Sequence, residues 1–247
     1  MAQPRYGLRR SIIYGYFPTG VKWLLIINTA VFVLEYLSPT VHSLLEPLAL
    51  VPDLVVFRFP WYVWQLFTYM FLHGGIGHLL FNMLALWMFG LPLEQTWGTR
   101  KFLNYYFLCG IGAGICDTIV NVLLGHHTST IGASGGIYGL LLAFGVLFPD
   151  TTVLMSFLFP IKAKYLVMIY AAIALLSALG SGNSGVSNVA HLGGMLFGLI
   201  YLKVPLRAGF LHLPDIGGRY RQWKLQRAKR KFQVYMRKHD GRGPWVN

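Results

Sequence analysis

Long apolar stretches alternate with shorter polar or turn-rich segments along most of the chain. A helix that crosses a bilayer at right angles needs about 20 apolar residues, so each stretch is a candidate transmembrane helix. Because the fourth and fifth stretches are short, we expect them to lie inside a bundle, where a helix need not match the lipid thickness. The pattern predicts an all-α polytopic membrane protein with six spanning helices, over residues 21–37, 74–93, 102–124, 134–149, 165–179 and 189–204.

The composition agrees with a protein whose main solvent is lipid. Hydrophobic residues make up 55% of the 247 positions, charged residues make up 12%, and the mean hydropathy is +0.53. An ordinary soluble domain has about 25% charged residues. These figures exclude disordered, collagen-like and disulfide-scaffold chains. Cys109 and Cys116 are seven residues apart, a helical rise of about 10.5 Å that exceeds the roughly 7 Å disulfide limit, so we interpret them as packing residues.

Positive charge is concentrated at the two ends of the chain and in two connections. Of the 21 Lys and Arg residues, 20 lie in segments 1–22, 94–101, 150–164 and 203–247, and Arg58 lies elsewhere. With six crossings these four segments face one side, and the positive-inside rule makes that side the cytoplasm. The net charge of +13 then reflects orientation and contact with anionic lipid. We expect no nucleic-acid partner.

The predicted organisation has three parts: a cytoplasmic N-terminal segment (1–20), a six-helix membrane domain (21–205) and a basic cytoplasmic C-terminal tail (206–247). Within the tail, residues 218–238 carry spaced apolar side chains among basic ones. This arrangement is typical of a helix lying on anionic lipid, and a disordered basic tail is an equally open interpretation.

The loop over residues 38–73 is long and apolar for an external connection. It contains Trp61, Tyr62 and Trp64 in a cluster, and such aromatic side chains favour the interface between membrane and water. We therefore predict a partly helical flap that is half inserted into the membrane.

A serine and a histidine lie in two glycine-rich motifs inside predicted helices. Ser134 stands among Gly132, Gly135, Gly136 and Gly139, and Tyr138 follows it by one helical turn. His191 opens the last predicted helix, with small residues at i+3 and i+7 that leave a groove for another helix. Polar residues inside membrane helices are costly and often functional. A serine brought against a histidine forms a nucleophile with its general base.

A third motif supplies polar donors on one helix. His78 and Asn82 are four residues apart, hence on one face of the second predicted helix. Their side chains are candidate donors to a developing oxyanion. A metal site is the alternative for His73 and His78, but their i, i+5 spacing shares no helical face and few acids are available as a third ligand. We predict neither a metal nor a cofactor.

Two further polar positions allow more than one interpretation. Asp117 is either the acid of a Ser–His–Asp triad or a polar residue near a helix end, and the second interpretation is favoured. His126 and His127 lie in a short external loop and are interpreted as solvated. The Gly-x-Ser-x-Gly pattern also occurs in soluble α/β-hydrolases, but these need a soluble body that this composition lacks.

Taken together, the motifs resemble the rhomboid family of intramembrane serine proteases over roughly residues 15–205. The resemblance rests on the segments His73-Gly74-Gly75, Gly132-Ala133-Ser134-Gly135 and Ala190-His191, with His78, Asn82 and Gly194. It also includes Glu94-x-x-Trp97-Gly98-x-Arg100, which is similar to the family's structural end of the second helix. Gln65 follows Trp64 where many members have arginine, a departure that concerns anchoring of the first loop.

The resemblance implies a role for each site residue. Ser134 is the implied nucleophile and His191 the implied base of a dyad without an acid. His78 and Asn82, with the backbone N–H of Ser134, form the implied oxyanion hole beside Gly132. Tyr138 is expected to pack beneath the histidine and to line the pocket for the residue before the cut.

The expected function is cleavage of single-pass membrane proteins within or beside their spanning segments. The fifth helix is expected to act as a lateral gate, and the site to open to the outer side, where water is available. The alternatives are a catalytically silent rhomboid-like factor that binds and routes membrane proteins, and a small channel or transporter. Silent relatives typically lack the Ser or the His, whereas both are present here. The absence of a recognisable signal or transit peptide favours a bacterial cell membrane.

Overall fold

The computed structural model describes residues 17–58, 62–155, 159–180 and 187–204, with 226, 227 and 229 besides. The chain divides into two units, residues 1–209 and 210–247. Most of the predicted N-terminal segment and nearly all of the basic tail, including the surface helix predicted over 218–238, lie outside the described residues.

Helices dominate the described part of the chain. In chain order they are α1 (Thr19–Leu37), α2 (Pro39–Leu45), α3 (Pro52–Phe57), α4 (Gln65–Thr68), α5 (Ile76–Trp97), α6 (Thr99–Leu124), α7 (Ser134–Leu147), α8 (Ala163–Leu179) and α9 (Asn188–Lys203). Short 3₁₀ turns cover Glu46–Leu48 and Tyr69–Phe71. Two strands, β1 (Thr152–Met155) and β2 (Phe159–Lys162), lie between α7 and α8.

All six stretches predicted to be helical contain a helix. Within the described residues, α1, α5 and α6 are long and apolar enough to cross a membrane, whereas α7 and α8 are shorter apolar helices. Many large apolar side chains on the helices are exposed, among them Leu34, Phe81 and Leu176. Exposed apolar surface on this scale indicates contact with lipid.

The core lies where α6, α7 and α9 pack against one another. Phe102, Tyr105 and Tyr106 of α6 are fully buried there. The Tyr105 hydroxyl donates to the carbonyl of Gly139 in α7 at 2.8 Å. Helix α1 packs on α5, and α8 packs at the edge against α7 and α9. The three central helices thus form the rigid frame for residues at the ends of α7 and α9.

Glu94 joins the end of α5 to the start of α1. Its carboxylate is buried and accepts hydrogen bonds from the backbone N–H groups of Gly20 (2.8 Å) and Val21 (2.7 Å) and from the hydroxyl of Thr99 (2.6 Å). A carboxylate at a helix N-terminus satisfies free N–H groups and complements the helix dipole. The segment that resembles a family structural element therefore acts here as a helix cap.

The first loop is partly helical, as predicted, and a buried glutamine side chain bonds to its backbone at two places. The side chain of Gln65, fully buried, accepts from Val51 N–H and donates to the Pro47 carbonyl, both at 3.0 Å. The Gln65 amide thus links two parts of the loop to each other. The aromatic cluster is described only in part, because residues 59–61 lie outside the described residues.

A β-hairpin, which the sequence pattern did not predict, lies between α7 and α8. Strands β1 and β2 pair antiparallel, with Thr152 opposite Lys162. Asp150, just before the hairpin, contacts Lys164 (2.9 Å) and Lys162 (3.3 Å). Hydrogen bonds from these lysines lower the pKa of Asp150 below its usual value. Within the described residues, the regular elements are thus helices except for this small hairpin and an isolated bridge between Leu50 and Thr130.

Candidate active site

Ser134 is the first residue of α7, at the end of the loop that follows α6. The first four N–H groups of a helix have no partner within it. The backbone N–H of Ser134 is therefore available beside its own hydroxyl. The loop enters the helix through Gly132, whose φ of +124° is a conformation that L side chains rarely adopt.

His191 lies in the first turn of α9, opposite Ser134. Its Nε2 is 2.8 Å from the Ser134 Oγ, and the residue is 6% exposed. Among the described residues, the other ring nitrogen, Nδ1, has no hydrogen-bond partner. An imidazole accepting the serine proton at Nε2 carries its hydrogen on Nδ1. The structure thus pairs the two residues directly, and no acidic side chain among the described residues bonds to Nδ1.

The close approach of α7 and α9 depends on two glycines. A Cβ atom at Gly194 would collide with the carbonyl oxygen of Gly135. The backbones touch at this crossing, one residue after Ser134 and one turn after His191, so the crossing sets the distance between their side chains. Gly198, expected on the same groove, instead faces the Tyr105 hydroxyl of α6. The predicted packing role of the cysteines fits, since Cys109 lies where a Cβ at Gly139 would be.

The ring of Tyr138 supports the imidazole from one side. The two rings are parallel within 5°, with centroids 4.1 Å apart. Tyr138 also meets Tyr170 of α8 edge to face at 6.1 Å. The tyrosine therefore fixes the plane of the His191 ring and connects it to the helix at the edge of the bundle.

Two side-chain donors converge beside Gly132. A Cβ atom built on Gly132 would lie 2.7 Å from His78 Nε2 and 3.7 Å from Asn82 Nδ2. Asn82 Nδ2 is buried and has no hydrogen-bond partner among the described residues. The Gly74 N–H points to His78 Nδ1 at 3.4 Å, which favours the tautomer whose hydrogen lies on Nε2. Both groups can therefore donate toward the space in front of Ser134.

A cavity of about 120 Å³ opens at this position. Its lining includes Ser134, His78, Gly132, Thr130 and Ser187. The cavity has room for water and places polar groups from the loop before α7, from α5 and from the start of α9 around the serine hydroxyl. The arrangement can bind a carbonyl oxygen and deliver a nucleophile to its carbon.

Asp117 is buried in α6, but its carboxylate bonds to residues other than His191. Oδ2 accepts from the Thr130 hydroxyl at 2.8 Å, and Oδ1 accepts from Asn121 Nδ2 at 3.0 Å and from the Ser187 hydroxyl. The triad interpretation therefore has no geometric support. Asp117 is also not at the end of its helix, because seven residues of α6 follow it. Thr130 and Ser187 were not singled out by sequence; their only signal is that each precedes a site residue by four positions.

Two expectations about histidines need correction. His127 is not merely solvated, because its Nδ1 is paired with the Asp53 carboxylate of α3. His73 and His78 do meet, with ring centroids 5.1 Å apart, because His73 lies in the turn before α5 and the helical spacing argument does not apply to it. Burial, reinforced by His78, lowers the pKa of His73 from 6.5 to about 4.

Comparison with known proteins identifies relatives of this chain. RHOMBOID-like protein 2 of Arabidopsis thaliana is 34% identical over 175 residues, which cover 70% of this chain and 50% of that protein. Rhomboid protease GluP of Bacillus subtilis (strain 168) is 34% identical over 154 residues, covering 62% and 27%. Rhomboid protein 1, mitochondrial, of Saccharomyces cerevisiae is 31% identical over 226 residues, covering 89% and 61%.

The chain spans between 27% and 61% of the length of these three relatives. They come from a plant, a bacterium and a yeast mitochondrion, so they do not single out a bacterial inner membrane. The Rhomboid domain matches residues 60–208, which is more than half of the chain and includes Ser134 and His191. On this match, the chain is a member of the rhomboid family of membrane proteins.

Proposed function

We propose that this protein is an intramembrane serine endopeptidase that uses a Ser134–His191 dyad. The observation that carries the proposal is the 2.8 Å contact between Ser134 Oγ and His191 Nε2. Ser134 and the donor His78 line the same cavity, and Asn82 Nδ2 lies near Gly132. Family membership supports the proposal.

In the first proposed step, Ser134 Oγ attacks the carbonyl carbon of the scissile peptide while His191 Nε2 takes its proton. The carbonyl oxygen becomes an oxyanion. It accepts hydrogen bonds from the Ser134 N–H, from His78 Nε2 and from Asn82 Nδ2. The protonated His191 then gives its proton to the leaving amine, which departs as the carbonyl re-forms and leaves an ester on Ser134.

Hydrolysis of the ester reverses these roles. Water attacks the ester carbonyl, His191 accepts the water proton, and the same three donors hold the second oxyanion. When the intermediate collapses, His191 returns the proton to Ser134 Oγ and the carboxylic acid product leaves. Tyr138 keeps the imidazole in one plane through both steps, because its ring is stacked on it.

The proposed topology has six crossings, both termini in the cytoplasm and the loop over residues 38–73 half inserted at the outer surface. The charge pattern supports this orientation. Water would reach Ser134 through the cavity from the outer side. Helix α8 is the proposed lateral gate, because only Ala163, Leu166 and Ala174 of its residues are buried.

The proposed substrates are single-pass membrane proteins whose spanning helix unwinds at small, glycine or proline residues. A peptide bond inside a helix is held by backbone hydrogen bonds, and these must break before the bond can reach Ser134.

No metal or cofactor has a role in this mechanism. A bacterial inner membrane is one proposed location.

The test is cleavage of a labelled type I membrane protein in proteoliposomes that contain the purified full-length chain. We expect cleavage within or beside the spanning segment of the substrate, and none with Ser134→Ala, whose folding is checked by thermal unfolding. If the wild-type chain binds the substrate without cutting it, the chain is a silent binding and routing factor. If Ser134→Ala cleaves as fast as the wild type, the proposed nucleophile is wrong.

A further inference from the structure

Asp117 is an acidic side chain in the interior of a membrane bundle. Its residue is fully buried, and the three side-chain donors to its carboxylate, from Thr130, Ser187 and Asn121, are all neutral. An ionisable residue at such a place is costly and is commonly retained for function. The mechanism proposed above gives it no part in moving protons.

The two donors that lie outside α6, Thr130 and Ser187, have the same sequence spacing from the dyad residues. Thr130 precedes Ser134 by four residues, and Ser187 precedes His191 by four residues. Each oxygen of the Asp117 carboxylate accepts from one of these hydroxyls. A single side chain therefore connects the segment that leads into α7 to the segment that leads into α9.

The bond to Ser187 acts on the first turn of α9. The Ser187 oxygen accepts from the N–H of Ala190 at 3.0 Å and so caps this helix. Because its hydrogen is directed to Asp117, the hydroxyl presents a lone pair to Ala190, the residue before His191. The carboxylate thereby orients the cap on which the position of His191 depends.

The bond to Thr130 acts on the loop before Ser134. The backbone of Thr130 is already paired with Leu50 in both directions, at 3.0 and 2.8 Å, and Gly132 N–H donates to the Tyr69 carbonyl at 2.9 Å. The bond to Asp117 adds a side-chain attachment of Thr130 to the central helix α6. Both Thr130 and Ser187 line the cavity in front of Ser134.

We propose that Asp117 is a positioning residue that, together with the Gly135–Gly194 crossing, sets the Ser134–His191 distance by holding both segments that precede the dyad. The inference rests on the proposed function, because it assigns a role relative to that dyad. It differs from a triad, in which the carboxylate would bond to His191 itself.

The experiment measures how fast a fluorophosphonate modifies Ser134 in the full-length protein, well below the thermal midpoint of every variant. Asp117→Leu removes both attachments, whereas Asp117→Asn can still accept from one hydroxyl and donate to the other. Asn121→Ala is the matched control, since it removes a donor from the carboxylate that lies on α6 alone. Ser134→Ala gives the blank.

We expect Asp117→Leu to slow modification by about 10²-fold, the cost of small misplacements of reacting groups. Asp117→Asn should recover most of the rate, and Asn121→Ala should stay near wild type. In cleavage assays kcat should fall with KM unchanged. A purely structural role would lower the thermal midpoint but leave the rate per folded molecule unchanged, and that result would overturn the proposal.

Single-hydroxyl variants keep the test decisive if Asp117→Leu does not fold. Thr130→Val removes one attachment but keeps the backbone pairing with Leu50, and Thr118→Val is its control, because the Thr118 hydroxyl has no partner among the described residues. We expect only Thr130→Val to slow modification. A loss of about 10⁴-fold for Asp117→Asn would indicate a triad instead. If the wild type itself is not modified at Ser134, the dyad fails, and the positioning role fails with it.

Discussion

The α-carbon of Gly132 faces the imidazole of His78 so closely that a Cβ atom there would lie 2.7 Å from Nε2. The residue also has a φ of +124°. Glycine is therefore required here twice, once by the backbone conformation and once by the donor beside it. Because Gly132 stands two residues before Ser134, this contact brings the donor on α5 next to the nucleophile.

Gly132→Ala should reduce the rate of Ser134 modification by about 10²-fold, because the added methyl group must displace a donor of the oxyanion hole. Gly125→Ala is the matched control. Gly125 also has a positive φ, of +66°, but a Cβ there meets nothing within 4 Å. Both variants should lose about 1–2 kcal/mol of stability from backbone strain. Equal modification rates for the two variants would contradict the assigned contact.

Asn82→Ala should lower kcat by about 10²–10³-fold while KM changes little. Loss of one oxyanion donor costs roughly 3–4 kcal/mol in transition-state stabilisation. Two donors remain, His78 Nε2–H and the Ser134 N–H, so cleavage should persist above the Ser134→Ala background. The measurement is steady-state cleavage of one membrane substrate. A change confined to KM would place Asn82 in substrate binding instead.

Glu94→Gln should destabilise the fold by about 2–3 kcal/mol, because the carboxylate accepts three hydrogen bonds and an amide presents an N–H to at least one of those donors. Glu46→Gln, at an exposed position, is the control and should be near neutral. Thermal unfolding in detergent measures both. Similar midpoints for the two variants would show that the cap on α1 contributes little.

The helices, and the residues that meet at the candidate site, could be predicted because their signals are local. Long apolar stretches mark the helices. An i, i+4 spacing puts His78 and Asn82 on one face of a helix, regardless of how that helix packs in the fold. The small residues beside Ser134 and His191 indicate that a helix approaches closely. Gly194 indeed crosses against Gly135, but Gly198 turned out to face α6, since sequence does not say which neighbour fills a groove.

The parts that could not be predicted depend on distant segments. The carboxylate of Asp117 bonds to Thr130 and Ser187, which lie 13 and 70 residues away, and no spacing rule connects such positions. His127 pairs with Asp53 across 74 residues for the same reason. The hairpin of β1 and β2 is short, and the apolar and basic residues of its strands give no strong alternation.

The stability of the folded protein should decrease as the pH is lowered through the range set by the pKa of His73. Its pKa is about 4 in the folded protein and 6.5 ordinarily, so the unfolded chain binds the proton more tightly. The stabilisation is complete above pH 6.5 and is lost as the pH falls toward 4, by about 2 kcal/mol at pH 5. His73→Phe keeps a ring against His78 and should show a flatter dependence of the thermal midpoint between pH 7 and 5. Parallel curves would contradict the assignment.

The central claim is that His191 activates Ser134 as a nucleophile, and the covalent adduct of a fluorophosphonate tests it most directly. The modified residue is identified by mass spectrometry of the full-length protein in its wild-type, His191→Ala and His126→Ala forms; His126 is exposed and lies outside the site. We predict an adduct on Ser134 in the wild type and in His126→Ala, and none in folded His191→Ala. An adduct on another residue, or one on Ser134 that forms equally fast without His191, would contradict the account.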